Sequence, residues 1–383
     1  MATPQGDVCV TAAGVRTVKL GLSSLPAWLT GVPLNKWIEI QGTKAVGSGL
    51  VPGEDANDFW APSAHALRAY SGGLLREDTC EYFVALSGGH GDSRENFVGS
   101  VDLTQNSPSW TLRNPSSSVA NQITEQPYYL DGKPASRHSY WSTQWIPQVN
   151  RIMVHGTRWA GASSFPNSNG FNPTTNTWDA AGTWASCVSS GSVGLALCKE
   201  TATGACWAIV GSSLYRWTPL GNTWTLTQTF PSAEYLAPPL VHDPVRNHLF
   251  QMAWGDGQAS GTAQMYARRI SAVGTVRESV TFNASAAFSD YIATAPAYTA
   301  LEYDVANDCY CLYAQTAGAT QKIYIIRPNS SLVWDMELLT IASGSATPLS
   351  QFAYNKFRYV PRWKGFVLLA DPFQNLLFIR TAV

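Results

Sequence analysis

The densest set of chemistry-bearing side chains is the run G-G-H-G-D-S-R-E-N at 88–96, directly after the apolar stretch Y-F-V-A-L. His90, Asp92, Arg94 and Glu95 place an imidazole, two carboxylates and a guanidinium on one glycine-rich turn. Such a group suits proton transfer or the cradling of a polar ligand. The same residues also make a turn, because glycine admits positive φ and Asp92 and Asn96 can cap backbone N–H groups. A second set is S-R-H-S-Y-W at 136–141. Arg137 and His138 are neighbours, so on a strand they project to opposite sides and only one can face a ligand. A hydrogen-bonding role inside the fold competes with ligand contact for both. Trp159, in G-T-R-W-A-G-A-S-S-F-P-N, and Trp254, in M-A-W-G-D-G-Q, are candidate flat platforms for a sugar ring. Internal packing is the competing use of either indole. His155 ends an apolar run, and His242 and His248 flank the turn D-P-V-R-N, which points to structural roles.

No H-x-H, H-E-x-x-H or C-x-x-C spacing occurs, so neither a metal nor another cofactor is expected. There is no G-x-S-x-G nucleophile elbow either, and no catalytic residue is assigned. The seven cysteines are an odd number. Cys309 and Cys311 are read as facing opposite sides of a strand. Cys198 and Cys206 flank K-E-T-A-T-G-A and are a candidate disulfide across a hairpin, with buried free thiols as the alternative.

These groups need a scaffold, and composition narrows it. Charged residues are 13% of the 383-residue chain, about half the usual ~25% for a soluble domain, whereas hydrophobic residues are 45% and Trp occurs 15 times. That balance disfavours helical bundles and disorder alike. With 25 cations against 26 anions and no basic run, nucleic acid is not an expected partner. No apolar run approaches the ~20 residues that span a bilayer, so membrane insertion is not expected.

Two repeats organise the chain. In the first, an Asn/Ser/Thr/Pro turn leads to a Trp that opens a strand, at Trp110, Trp178, Trp224 and Trp334. The 110 residues between the last two are two periods, and the missing copy falls at R-E-S-V-T-F, 277–282, where the Trp is lost. In the second, two apolar strands flank a short turn, as in T-Q-W-I-P-Q-V-N-R-I-M-V (143–154), L-V-H-D-P-V-R-N-H-L-F-Q-M (240–252) and L-E-Y-D-V-A-N-D-C-Y-C-L-Y (301–313). Further copies occupy 66–86, 195–210 and 358–369, making six. Two hairpins per period give four antiparallel strands, the pattern of an all-β, six-bladed β-propeller. The last period holds only three strands. N-K-W-I-E-I-Q-G (35–42), with Trp37 in the outer-strand position, is expected to complete the C-terminal blade and so close the ring. The chain then divides into an extension, 1–34, packing on the propeller or a neighbour, and one propeller domain, 35–383.

The turn F-N-P-T-T-N-T-W, the doublet Gly88-Gly89 after Y-F-V-A-L-S, and S-R-H-S-Y at 136–140 resemble kelch repeats. Over 35–383 the chain resembles the kelch and galactose-oxidase-type propellers, as a bacterial or phage relative with degenerate repeats. Gly156-Thr157, Gly211-Ser212 and Ala370-Asp371 stand where later glycine doublets would be. The resemblance implies a ligand site at the channel mouth, with Arg137 and His138 near the inner strand. It does not extend to copper-radical oxidation, whose ligands cluster in later blades, since no His follows His248.

The composition looks extracellular, yet the first 30 residues lack a basic start and apolar run typical of a secretory signal. Phage virion proteins combine these properties. The expected function is a non-enzymatic binding and structural propeller at a phage tail or exposed virion surface. Its expected partners are neighbouring subunits and a host-surface glycan. Two alternatives stand beside it: a carbohydrate-active or oxidoreductase enzyme using His90, Asp92 and Arg137, and a bacterial lectin or interaction scaffold in the cytoplasm.

Overall fold

A computed structural model describes residues 9–11, 14–16, 25–50, 67, 71–86, 93–123, 126–158, 164–187, 195–230, 239–254, 265–271, 276–296, 299–315, 321–348 and 353–382. Each of the six apolar hairpins opens a small antiparallel sheet, and the six sheets form a ring, a β-propeller. Blade 1 consists of Leu74–Arg76, Glu81–Ala85, Val98–Asp102 and Trp110–Asn114. Blade 2 consists of Thr143–Ile146, Arg151–Val154, Asn169–Asn172 and Thr177–Trp178. Blade 3 has Ala196–Lys199, Cys206–Val210, Ser213–Thr218 and Thr223–Thr229, and blade 4 has Leu240–Asp243, His248–Trp254, Met265–Ser271 and Arg277–Ser279. Blade 5 has Ala300–Asp304, Cys309–Gln315, Gln321–Arg327 and Val333–Leu338. Blade 6 takes Phe357–Val360, Gly365–Leu368 and Leu377–Arg380 from the end of the chain, and Ile38–Glu39 from its beginning. That last strand pairs Glu39 with Leu377 and Ile38 with Phe378.

The turn between the first two strands obeys one backbone rule in every blade. It ends on a left-handed residue: Cys80, Asn150, Gly204, Asn247, Asp308 and Lys364 in blades 1 to 6, with φ between 49° and 69°. Asn, Asp and Gly tolerate this conformation best, and three of those positions use Asn or Asp. Asp243 and Asp304 prepare the turn by accepting the N–H groups of Val245 and Arg246, and of Ala306 and Asn307.

Blade contacts explain the apolar runs. Neighbouring residues on each strand go to opposite faces, and both faces are covered. Leu74 and Phe83 pack on blade 2 beside Trp145 and Ile152, while Leu75, Tyr82 and Val84 pack on blade 6 beside Val360, Val367 and Phe378. The same division recurs around the ring, giving one buried cluster at each blade–blade boundary. It corrects the reading of Cys309 and Cys311 and decides between the two readings of Cys198 and Cys206 in favour of free thiols. Cys309 and Cys311, two residues apart, face the same side toward blade 6, with Sγ atoms 4.0 Å apart. Cys198 and Cys206 belong to opposite faces of blade 3, because Cys198 pairs with Trp207 and Lys199 with Cys206. Both are free, buried thiols.

Two features were not legible in the repeats. The predicted strand at 277–282 divides: Arg277–Ser279 edges blade 4, whereas Thr281–Phe282 crosses to blade 5 and pairs in parallel with Val333 and Trp334. A helix, Ala286–Thr294, follows, with Ser285 accepting Phe288 N–H as its N-cap. At the other end of the chain, residues 25–34 lie on blades 6 and 1. The Trp28 ring meets Trp363 and Phe378 edge-on at 5.2 and 5.3 Å and donates its N–H to Leu103 O.

Trp37 is 1% exposed and sits against Tyr313 and Phe357, at the boundary of blades 5 and 6. Trp37→Ala should lower unfolding stability by about 3–5 kcal/mol. Leu226→Ala, on the exposed edge of blade 3, should change it by less than about 0.5 kcal/mol. Chemical denaturation of both variants measures the difference.

Candidate functional site

In each blade the second strand ends and the third begins at the end of the ring opposite the six left-handed turns. Where blades 1, 2 and 6 meet there, the approach is close. Gly72 donates its N–H to Ser139 Oγ at 2.8 Å, and a Cβ on Gly72 would lie 2.3 Å from Tyr140 O. Asn355 Nδ2 donates to Thr143 O, and Tyr82 OH to Lys356 O. Tyr140 and Tyr354, both fully buried, adopt φ of 28° and 42° and touch ring to ring at 4.9 Å. Positive φ is costly for a bulky side chain and persists only where packing over-determines it.

Arg137 and His138 lie in this junction and are both fully buried. The Arg137 guanidinium donates to three carbonyls: Nε to Ala135 at 3.1 Å, Nη1 to Asn167 at 3.2 Å and Nη2 to Pro127 at 3.0 Å. Burial lowers it to about 10, still a cation at neutral pH. Its N–H also donates to Leu86 O, so one residue ties together three loops. His138 Nδ1 lies 2.8 Å from Tyr140 OH. His155 is buried against Trp217 and Trp224, with Nδ1 3.0 Å from Ser168 Oγ. His242 bonds Asn247 in its turn.

Part of the 88–96 run is described, and it is braced from outside. Asn96 does not cap its own turn but bridges to the following connection, donating to Pro134 O and Ser117 Oγ and accepting Ser117 N–H. Ser136 Oγ donates to Ser93 O, and Tyr129 OH to Arg94 O. The Arg94 side chain is partly exposed and Glu95 is buried. His90, Asp92 and Trp159 lie outside the described residues. The backbone of Trp254 ends a blade 4 strand, paired with Met265; its side chain lies outside the described set.

Sequence reasoning missed a group of charges on or just beyond the innermost strands. Lys199 Nζ of blade 3 meets Glu77 Oε1 of blade 1 at 2.8 Å, and Arg358 of blade 6 meets Glu302 of blade 5 at 2.9 Å. Arg358 also bonds Asn355, which reaches blade 2 through Thr143. Burial raises the Glu302 carboxyl above its usual range, and the Arg358 cation opposes that shift. Four blades thus meet through two ion pairs. The one available signal was charge at or just beyond otherwise apolar inner strands: Glu77 directly after Leu74–Arg76, Lys199 at the end of its strand, and Glu302 and Arg358 within theirs.

The thiols offer little nucleophilic chemistry, since burial raises Cys80 to about 11 and pushes Cys198, Cys206 and Cys311 upward as well. Asp304, Cys309 and Cys311 hold potential ligand atoms within 4.8 Å of one another. However, the Asp304 carboxylate already accepts Ala306 N–H, Asn307 N–H and Nδ2, and Thr381 Oγ1. With about four acceptor positions on a carboxylate, it has no ready lone pair for an ion. No protein-family model matches the sequence, and no curated protein matches it at a significant level.

His155 carries a pH prediction. Burial lowers its imidazole from 6.5 to about 3, so between those values the unfolded chain takes a proton that the folded chain refuses. Its contribution is complete above pH 6.5 and is lost as pH falls. Relative to His155→Phe, the wild type should lose about 3 kcal/mol of stability between about pH 7 and about pH 4.5. Urea unfolding of both proteins across that range checks it.

Proposed function

We propose that this propeller is a non-enzymatic binding and structural module. Its place would be a phage virion, at the tail or another exposed surface, where it contacts neighbouring subunits and a host-surface glycan through its loop-bearing end. The observation that carries the reading is how the described polar groups of the two candidate runs are used. Arg137, His138 and Asn96 spend their hydrogen bonds on other loops and side chains of the fold, as scaffold groups do. A frame braced in this way suits recognition, because fixing a surface beforehand lowers the cost of binding. Scarce surface charge suits a sugar ligand more than an anionic polymer. Among the described residues no helix is long and apolar enough to cross a membrane.

Two measurements bear on this reading. On a glycan array, Trp159→Ala and Trp254→Ala should each weaken wild-type binding at least about tenfold, the loss of one stacking contact, with unfolding midpoints unchanged. Binding that survives both substitutions removes the glycan assignment. Stoichiometric metal in the purified protein, with a turnover that disappears when it is stripped, would replace the binding module with the enzyme.

A further inference from the structure

The six outer strands differ in how they treat their free edges. An outer strand exposes unpaired N–H and C=O groups and templates pairing with another chain unless it is short, charged or covered. Blades 2 and 6 end in two-residue strands, Thr177–Trp178 and Ile38–Glu39. Blade 4 ends in Arg277–Ser279, which carries Arg277 and Glu278. In blade 5, Val333–Leu338 carries Asp335 and Glu337 and is covered by Thr281–Phe282. Blade 1 interrupts Trp110–Asn114 with Arg113, bulged and paired with Glu81. Blade 3 lacks these defences over most of its length. Thr223–Thr229, T-W-T-L-T-Q-T, has seven residues and no charge, and its register shift comes late, at Thr227. Among the described residues no strand pairs with its outer edge, and Leu226 is 53% exposed.

We propose that this edge joins two copies of the chain, strand to strand and antiparallel, centred on Thr225. It rests on the reading of the protein as a subunit-contacting module and names the contact. The occupant follows from self-complementarity. An antiparallel pair about Thr225 sets Thr225 against its symmetry mate and Trp224 against Leu226 of the second copy. Thr–Thr and aromatic–aliphatic pairs are both favourable across strands. No side chain on the edge carries charge, so the two copies meet without like-charge repulsion. The two blades then form one continuous eight-stranded sheet. The register shift at Thr227 limits the pair to a few residues, and a contact below roughly 1,200 Å² is weak, so the dimer should depend on concentration.

Sedimentation equilibrium of the full chain over a wide concentration range tests this. The wild type should pass from monomer to dimer. Thr225→Lys and, separately, Leu226→Glu should weaken dimerisation at least tenfold while leaving near-ultraviolet circular dichroism and the melting temperature unchanged. A wild type that stays monomeric at every concentration overturns the proposal, even if it pairs with some other extended chain. A dimer that survives both substitutions overturns it too, by placing the interface elsewhere. A monomer that still binds glycan would sink this contact alone and leave the binding reading standing.

Discussion

Sheets that are apolar on both faces impose the constraint on which the structure depends. A four-stranded sheet with one apolar face can rest on a helix or on a second sheet. When both faces are apolar, each needs a neighbour, and any open stack leaves two faces bare. A closed ring removes the ends, so six sheets give six buried boundaries. The low charge content follows from the same geometry, since few strand positions remain where a charge is solvated.

Closure depends on residues far apart in the sequence. Ile38–Glu39 supplies the fourth strand of the blade that ends the chain. Trp28 and Trp37 sit at the two boundaries of that blade, one toward blade 1 and one toward blade 5. At the centre, where the inner strands converge and side chains are crowded, the Glu77–Lys199 and Glu302–Arg358 pairs join blades that share no sheet. Such pairs add little net stability when balanced, but losing Arg358 would strand the buried Glu302 carboxylate. They hold the inner strands in a fixed arrangement.

The loop-bearing end is built on the same logic. Its frame is made of main-chain acceptors gathered by single polar side chains, Arg137 and Asn96 above all, and two tyrosines held in an unfavourable backbone region by dense packing. Groups of this kind hold the connections between strands in place. A frame made this way needs few charges, in keeping with the composition of the whole chain.

Repeat spacing, two-residue alternation and turn chemistry were enough to read six hairpin pairs and the all-β ring from the sequence, because these are local properties of each strand and turn. Asn150, Asn247 and Asp308 announced their left-handed turns in the same local way. The fate of the candidate site was different. Whether Arg137 faces a ligand or three carbonyls depends on where residues 127 and 167 are carried by other parts of the chain. Whether Cys198 and Cys206 pair or stay free was open until the hairpin register set them on opposite faces. The central ion pairs unite residues more than fifty positions apart, and no spacing encodes them. Sequence determined what each strand must bury; only the tertiary structure decided which blades meet, and therefore which polar groups face each other and which are left for a ligand.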